Sequence, residues 1–534
     1  MKKIVSLLLA VLMLISALPA LAEDEVMIPG YYVPPKMTEG QYPIAEEGVT
    51  LTYWMPIAGQ AIKFITDHDG NEGHAIAQKE SGVNIDFTHP AVGNEYEQFQ
   101  LLLNSKKLPD MIQMPAESWY TGGLQAMYDD GIIIDLTPYL DELAPQYKAI
   151  TEYNDLGYAQ MHNDGKVLGF YKVTFADKIP YIRFNTNKAW LAEAGMKEPK
   201  LTSEYEAYFD WILANKPGVV PVYWNLTSEQ SANLTMGAYD FLFGWYLEKE
   251  DGRTVNYWAN APQYKEWLTL MNKWYNKGYF HPDFQSLEGS EAQALFDAGK
   301  LACIADSVDA TESRVINEFA ITNFPYMRHN ADDVLGAGLA SNPVGDGGDY
   351  ITVITTQCDN VEAAIQYLNY GYTFEGSLPY NFGEYGTSWV WDENNMPVFT
   401  ERCTANPDGM TNIDVCWVLH AHFATRYTYP DDITIPASGD TNSMLIRTLW
   451  ADDKNEQNFL QMPPVTLSAE DSSERNDIMA QIDTYAEEKM IHFITGVEPL
   501  ENFDAYLAEL ETMGMSRAIE LTQAVTDEFF ANAR

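Results

Sequence analysis

The chain sets aromatic side chains beside turns rather than inside periodic runs: Trp54, Trp119 with Tyr120, Tyr171, Trp224 with Asn225, Trp245 with Tyr246, Tyr380 with Asn381, Tyr385 and Trp389. With 13 Trp, 33 Tyr and 23 Phe, there is enough aromatic surface for a binding site as well as a core. An indole face buries the C–H surface of a sugar ring and leaves its hydroxyls free for Asn, Asp and Glu. At roughly 100 Å² of shared contact, one such platform contributes ~2 kcal/mol before ordering costs. Packing in a core is the competing fate of each aromatic, so the reading rests on the group.

Catalytic and metal signatures are thin. A glycosidase needs two carboxylates across a cleft, and 77 acidic residues let any pair be proposed. No G-x-S-x-G, H-E-x-x-H or phosphate-loop pattern occurs. Strand alternation would put His420 and His422 on one face, which permits metal binding, with an ordinary core or surface role as the alternative. "DHDGNEGH" (Asp67 to His74) has oxygen side chains at alternate positions but lacks the glycine placement and closing Glu of a calcium loop, so no metal is expected. Asn225 and Asn233 open short glycosylation-type sequons. Of the four cysteines, Cys403 and Cys416 could close a loop as a disulfide, or all four could be buried thiols.

The elements that must position these residues alternate. "VTLTYWMP" reads as a strand stopped by Pro56, and "VNIDFTHP" as a second. "NEYEQFQLLLNSKKLPDMIQM" reads as a helix capped by Asn94, with Glu97 completing a capping box, followed by an inner strand after Pro109. Tyr96, Phe99, Leu102 and Leu103 share its apolar face. "YIRFNTNKAWLAEAG" repeats the strand-to-helix step, and "EAQALFDAGKLACIAD" runs from helix through a glycine stop to a strand. This alternation predicts α/β architecture with a mainly parallel sheet, whose ligands bind beyond the carboxyl ends of the strands. The segments "ERNDIMAQIDTYAEEKMIHFITG" and "ENFDAYLAELETMG" read as long C-terminal helices.

Lys2 and Lys3, the apolar run Ile4 to Ile15 and Ala20-Leu21-Ala22 read as an export signal over residues 1–22. A formal charge of −45 disfavours nucleic acid and anionic membrane as partners, and 46% hydrophobic content excludes a disordered acidic chain. A length of 534 residues exceeds one core, so two or more lobes are expected.

"LTYWMP", "EYEQFQLLLNSKKLPDMIQM", "DDGIIIDLTPYLDELAPQYK" and "DGKVLGFYKV" fall in the order seen in extracellular solute-binding proteins of family 1, the sugar-capture subunits of bacterial ABC importers. "AAIQYLNYGYTFEGSLPYNFGEYGTSW" and "FITGVEPLENFDAYLAELETMG" resemble the large oligosaccharide-binding type from gut and soil Firmicutes. The resemblance covers nearly the whole chain after residue 22. It implies a lead over 23–48, a first α/β lobe from 49–172 and 346–428, and a second from 173–345 and 429–534 carrying the C-terminal helices. The lobes would be joined by crossings near Tyr171 to Arg183, Ser341 to Tyr350 and Thr425 to Pro436. It also implies that Trp54, Trp119, Tyr120, Tyr171, Asp306, Asn381 and Tyr385 face the interlobe cleft, with Trp224, Asn225, Trp245 and Trp389 as further candidates. The tryptophans would stack on sugar rings and Asp306 would bind paired hydroxyls.

Two departures from the family pattern stand out. No cysteine marks a lipid-attachment site after the signal, so retention at the cell surface is open. "DWILANKPGVVPVYW" occupies the place of the calcium loop of many large members, so no structural calcium is expected.

The resulting expectation is a monomeric, exported, non-enzymatic protein without cofactor. It would capture a neutral oligosaccharide by lobe closure and deliver it to an ABC permease. A secreted glycoside hydrolase, and a peptide- or other solute-binding protein on the same scaffold, are the alternatives.

Overall fold

A computed structural model of the chain describes residues 28, 31–44, 48–59, 61–114, 119–175, 182–307, 321–333, 350–405, 409–410, 414–415, 418–420, 424–430, 433–434, 437 and 460–533. The expected export signal, Cys416, His422 and much of the expected crossings lie outside these residues. No described helix is long and apolar enough to cross a membrane.

The first sheet has the order β2-β1-β3-β11-β4, from Val83–Thr88, Val49–Trp54, Met111–Met114, Ile351–Ile354 and Phe170–Tyr171. β2, β1 and β3 run parallel, as the alternation predicted, and β11 lies antiparallel between β3 and β4. The second sheet has the order β10-β5-β9-β6, from Ile321–Asn323, Ile182–Asn187, Leu301–Ser307 and Val220–Tyr223. Here β6 and β9 are parallel, and β5 is antiparallel to both β9 and β10. Two small hairpins complete the strands: β7 (Trp245–Leu247) with β8 (Val255–Tyr257), and β12 (Trp389–Trp391) with β13 (Pro397–Phe399).

Each main sheet has its own core. The first gathers Leu51, Tyr53, Met111, Ile112, Phe170, Val353 and Ile365, and the second gathers Phe184, Tyr208, Trp224, Trp267, Trp274 and Phe493. The C-terminal helices Ala469–Thr495, Phe503–Met513 and Met515–Asn532 pack into the second core through Met490, Tyr506 and Ala518. Tyr429, Ile433 and Ala437, expected in the second lobe, pack in the first core instead. The tie is polar: Asn381 Oδ1 accepts from the Tyr429 N–H at 3.2 Å, and Ser377 Oγ lies 3.1 Å from the Tyr429 hydroxyl.

The helix Glu95–Ser105 forms as read, but Asn94 does not cap it with its side chain. The Gln98 side chain instead turns back to accept from the Ala91 N–H, and Lys106, in the left-handed region at φ 56°, ends the helix. His420 lies in a turn after Val415, not on a strand, with its backbone N–H donating to the Val415 carbonyl. Cys403 is a buried free thiol that donates to the Ser388 carbonyl, so the structure favours the thiol reading there.

A buried amide fastens the lead segment to the first lobe. Asn369 Oδ1 accepts from the Tyr147 N–H at 3.0 Å, and its Nδ2 donates to Gln146 Oε1 at 2.8 Å and to the Tyr42 hydroxyl. Asn369→Ala strands the buried Tyr147 N–H, while Gln146 Oε1 keeps the Gln41 amide as a donor, so the change is expected to lower unfolding free energy by about 1–3 kcal/mol in urea titration.

Candidate functional site

Strand direction determines which edges of the two sheets meet. β1, β2 and β3 end at Trp54, Thr88 and Met114, and β4 ends beside them at Tyr171. β11 starts at Ile351 opposite both Met114 and Tyr171. The chain therefore leaves the first sheet and returns to it by one edge, the carboxyl edge of its parallel strands. In the second sheet, β5 starts at Ile182 opposite Ser307, the carboxyl end of β9. β6 runs parallel to β9 with Tyr223 beside Ile304, so Trp224 and Asn225 emerge level with Ala305 and Asp306. The first crossing thus joins two carboxyl edges, and the return enters at one of them, the position from which open α/β sheets bind ligands.

A cavity of about 710 Å³ lies on the first lobe's side of this junction. One wall follows β3: Trp119, Tyr120, Gly122, and Gln125 and Asp129 of the helix Gly123–Asp129, with Tyr96 and Gln100 beside them. The opposite wall, Thr466 to Ala469, belongs to the other lobe and opens its 27-residue helix. Ser468 caps that helix by accepting from the Asp471 N–H at 3.1 Å. Gly122 adopts φ +86°, and a Cβ there would lie 3.2 Å from the Ala469 backbone N, so a glycine permits the lobes to touch.

The Trp119 indole is half buried and braced from behind. Phe99 lies 5.5 Å from it centroid to centroid, Tyr96 meets it edge-on at 5.8 Å, and Trp54 backs Phe99 at 6.2 Å. The Gln100 amide donates to the Trp119 carbonyl at 3.0 Å. Tyr120 donates its hydroxyl to Asp130 Oδ2 at 2.5 Å, and burial together with that carboxylate raises its pKa to about 12. The phenol therefore stays a neutral hydroxyl at any working pH. The described lining carries the carboxylates of Asp129 and Asp130, the amides of Gln100, Gln125 and Asn163, and no Lys, Arg or His. A pocket with an aromatic face, amide and carboxylate rims and no fixed cation suits a polyhydroxylated ligand.

The structure brings Trp119 and Tyr120 together in this cavity. The other expected residues are distributed around the same junction or buried in the cores. Trp54 is 6% exposed and supports the platform from below. Tyr171 is buried at the end of β4, and its carbonyl accepts from the Tyr372 hydroxyl. Trp224 packs in the second core against Phe184, Trp274 and Phe280. Asn225 is exposed and closes a turn by accepting from the Thr227 N–H at 2.9 Å. Trp245 is half buried on β7, 4.8 Å from Tyr257 and 5.8 Å from the Arg475 guanidinium. Asp306 is half buried at the end of β9, directly opposite Arg183.

Asn381 is buried with both polar atoms engaged within the fold. Its Nδ2 donates to the Ser377 carbonyl at 2.7 Å and the Tyr427 carbonyl at 2.9 Å. Tyr385 is 45% exposed and Trp389 buried, their rings 5.1 Å apart on a hairpin. Glu72 anchors this hairpin: its Oε2 accepts from the Glu384 N–H at 2.8 Å and the Ser388 hydroxyl at 2.6 Å, and Oε1 pairs with Arg402. Glu72 opens the helix after β1, which puts the hairpin on the carboxyl edge as well.

Sequence reasoning missed Gln100, Asp129, Asp130, Asn163 and the Thr466–Ala469 wall. Tyr96 was assigned to the helix's packed face yet is 52% exposed in the cavity wall. Its spacing of four from Gln100 was the available signal, because such pairs share one helical stripe.

A second feature of the first lobe is a group of histidines at the carboxyl edge, His68 and His74 buried and His89 half buried. His68 lies 5.4 Å from His74 and 5.0 Å from His89, ring to ring. His68 Nε2 meets the Pro56 carbonyl at 3.1 Å, and His89 Nδ1 meets the Met55 carbonyl at 2.8 Å. Among the described residues no group of His, Cys, Asp or Glu has a geometry that could hold a metal ion. Burial lowers His68 to about 4 and His420 to about 3, and pushes His74 well below its ordinary value.

The comparisons with known proteins agree with the two-lobed geometry. Residues 43–376 match the family model described as bacterial extracellular solute-binding protein. The chain belongs to that family of solute-binding proteins. No curated protein matches it in sequence. Among solved structures, a Streptococcus pneumoniae ABC-transporter substrate-binding protein in complex with kestose is 19% identical, with 90% of this chain and 100% of that one covered and a TM-score of 0.69. An HMO-binding solute-binding protein from Bifidobacterium longum infantis is 15% identical, with 91% and 99% covered and a TM-score of 0.69. An alginate-binding protein without calcium ion is 15% identical, with 90% and 99% covered and a TM-score of 0.67. At these identities the likeness establishes the shared fold.

His68, His74 and His420 yield a pH test. Their folded pKa values lie below the ordinary value of about 6.5, so the unfolded chain takes up protons first as pH falls. Their contribution to stability is intact above about pH 6.5 and is lost progressively toward about pH 4. Urea unfolding measured between pH 7 and pH 5 is expected to show falling stability, and His420→Leu is expected to flatten the slope.

Proposed function

We propose that this protein captures an oligosaccharide between its lobes and presents the closed complex to an ABC permease. The observation that carries the reading is the cavity in which Trp119, Tyr120 and Tyr96 face a wall contributed by the other lobe. A ring stacked on Trp119 would meet hydroxyl partners on Gln100, Gln125, Asp129 and Asn163, and closing the lobes would bring Thr466 and Ser468 to its far side. Membership of the solute-binding family and the sugar ligands named for its structural relatives support the same reading. Micromolar capture needs about 8 kcal/mol net, within reach of two or three platforms plus polar contacts.

The protein acts by binding, without turnover. Asp129 and Asp130 adjoin in the chain on one wall of the cavity, whereas glycoside hydrolysis needs carboxyl groups on opposite faces of the scissile bond. Export, and action at the cell surface as a monomer, complete the proposal.

The test is titration calorimetry of the mature chain against neutral and acidic oligosaccharides, with product analysis of the same samples. Tight binding of an intact sugar is the expected result, and Trp119→Ala should weaken it by ~2 kcal/mol, about 30-fold in Kd. Cleavage of the bound sugar would replace the capture reading with hydrolysis. Binding of peptides in preference to sugars would reassign the ligand class.

A further inference from the structure

The second sheet buries a cation outside the lining of the Trp119 cavity. Arg183 stands at the start of β5, one residue past the first crossing, and is 1% exposed. Its guanidinium lies over the Tyr326 ring, 3.7 Å from the centroid. Among the described residues, none of its Nε, Nη1 and Nη2 atoms has a hydrogen-bond partner. The cross-strand residue directly opposite is Asp306, yet no ion pair links the two.

The stretch "IRFNTN" explains why such a residue is there. On a strand, alternate side chains take opposite faces. Phe184 and Thr186 take the face that packs on Tyr205, Trp224 and Tyr208. Arg183 and Asn185 therefore share the other face, with Asp306 opposite Arg183 and Asn323 opposite Asn185. Farther along the strand that face carries Ile304 and Ile321 of a small apolar cluster, whereas its outermost member, Arg183, lies at the edge through which the chain crosses between lobes.

A guanidinium has five in-plane N–H donors and a permanent charge. The Tyr326 ring supports the cation from above its plane and satisfies none of those donors. Burying donors without acceptors opposes folding, and a core position would be served better by an apolar residue of the same length. At the interlobe edge the missing acceptors can arrive with a ligand, and lobe opening is the motion that uncovers the site.

We infer that Arg183 is a ligand-anchoring residue whose guanidinium fork grips a planar pair of oxygen acceptors on the captured saccharide. The pair is supplied by a uronate carboxylate or by two vicinal hydroxyls. Tyr326 holds the fork in orientation, and Asp306 and Asn185 border it. This inference rests on the oligosaccharide reading and adds an anchor on the second lobe to the aromatic platform on the first.

The experiment compares wild type, Arg183→Met and Arg183→Lys. Two quantities are measured: Tm without ligand, and Kd for matched neutral and uronate-bearing oligosaccharides. The expected result is a Tm for R183M equal to or above wild type, with Kd weakened about 10- to 100-fold. R183K, which keeps the charge but loses the fork, is expected to bind weakly as well. A loss specific to uronate ligands identifies a carboxylate as the partner, and an equal loss for neutral ligands identifies vicinal hydroxyls.

A lowered Tm with Kd within about twofold of wild type assigns Arg183 a structural role and overturns the inference. If R183M is both less stable and weaker in binding, R183K decides: wild-type affinity overturns the inference and lost affinity at wild-type Tm supports it. Wild type that binds no saccharide overturns the functional reading and this inference together. Wild type that binds, with both variants equal to it, removes the Arg183 assignment alone.

Discussion

The antiparallel seating of β11 between β3 and β4 is the constraint on which the interlobe geometry depends. β11 begins opposite Met114 and Tyr171, so the returning chain re-enters the first sheet at the edge from which it left. Buried hydroxyls hold the strand there. Thr352 Oγ1 lies 2.6 Å from the Tyr53 hydroxyl and accepts from Thr425 Oγ1 at 2.9 Å, and Thr355 donates to the Pro109 carbonyl at 2.6 Å. Threonine suits a strand through its branching and supplies the polar atom each neighbour requires. Val173 pairs with Tyr427 beside this point, so the segment that leaves β4 runs alongside the one around Tyr427.

The aromatic wealth of the chain divides between two tasks. Most rings consolidate the cores: Trp258, Trp267 and Trp274 are each at most 1% exposed and meet neighbours edge-on. A smaller set at the carboxyl edge keeps one face open, because it follows strand ends where the backbone turns away. The chain Trp54, Phe99, Trp119 links the two tasks, with the buried indole supporting the half-exposed one through a shared phenylalanine. The acidic surface has a counterpart in the cavity, whose described charged groups are carboxylates, while the buried guanidinium of Arg183 lies on the facing sheet.

Much of the fold was legible. Strand and helix periods, the glycine stop at Gly299, and the Pro109 break correspond to elements of the structure. Local side-chain roles were less legible. Asn94 had the residue type of a cap but not the backbone angles, and Gln98 met the neighbouring N–H. Asn381 had the chemistry of a sugar ligand, yet its amide bridges Ser377 and Tyr427 inside the first lobe. An amide beside an aromatic looks alike in sequence whether its partners are hydroxyls of a ligand or carbonyls of its own chain.

What the sequence by itself determined was the alternation of strand and helix, and with it the parallel run of β2, β1 and β3 in the first sheet. Both are local matters, written in periods of two and 3.6 residues. Tertiary structure decided which aromatics remain open and, among the described residues, that the Arg183 guanidinium has no hydrogen-bond partner. Trp119 and Thr466 line one cavity across about 350 residues of sequence, and Arg183 lies opposite Asp306 across about 120. No local period encodes pairings at that range, because each depends on how two separately packed cores meet at their shared edge.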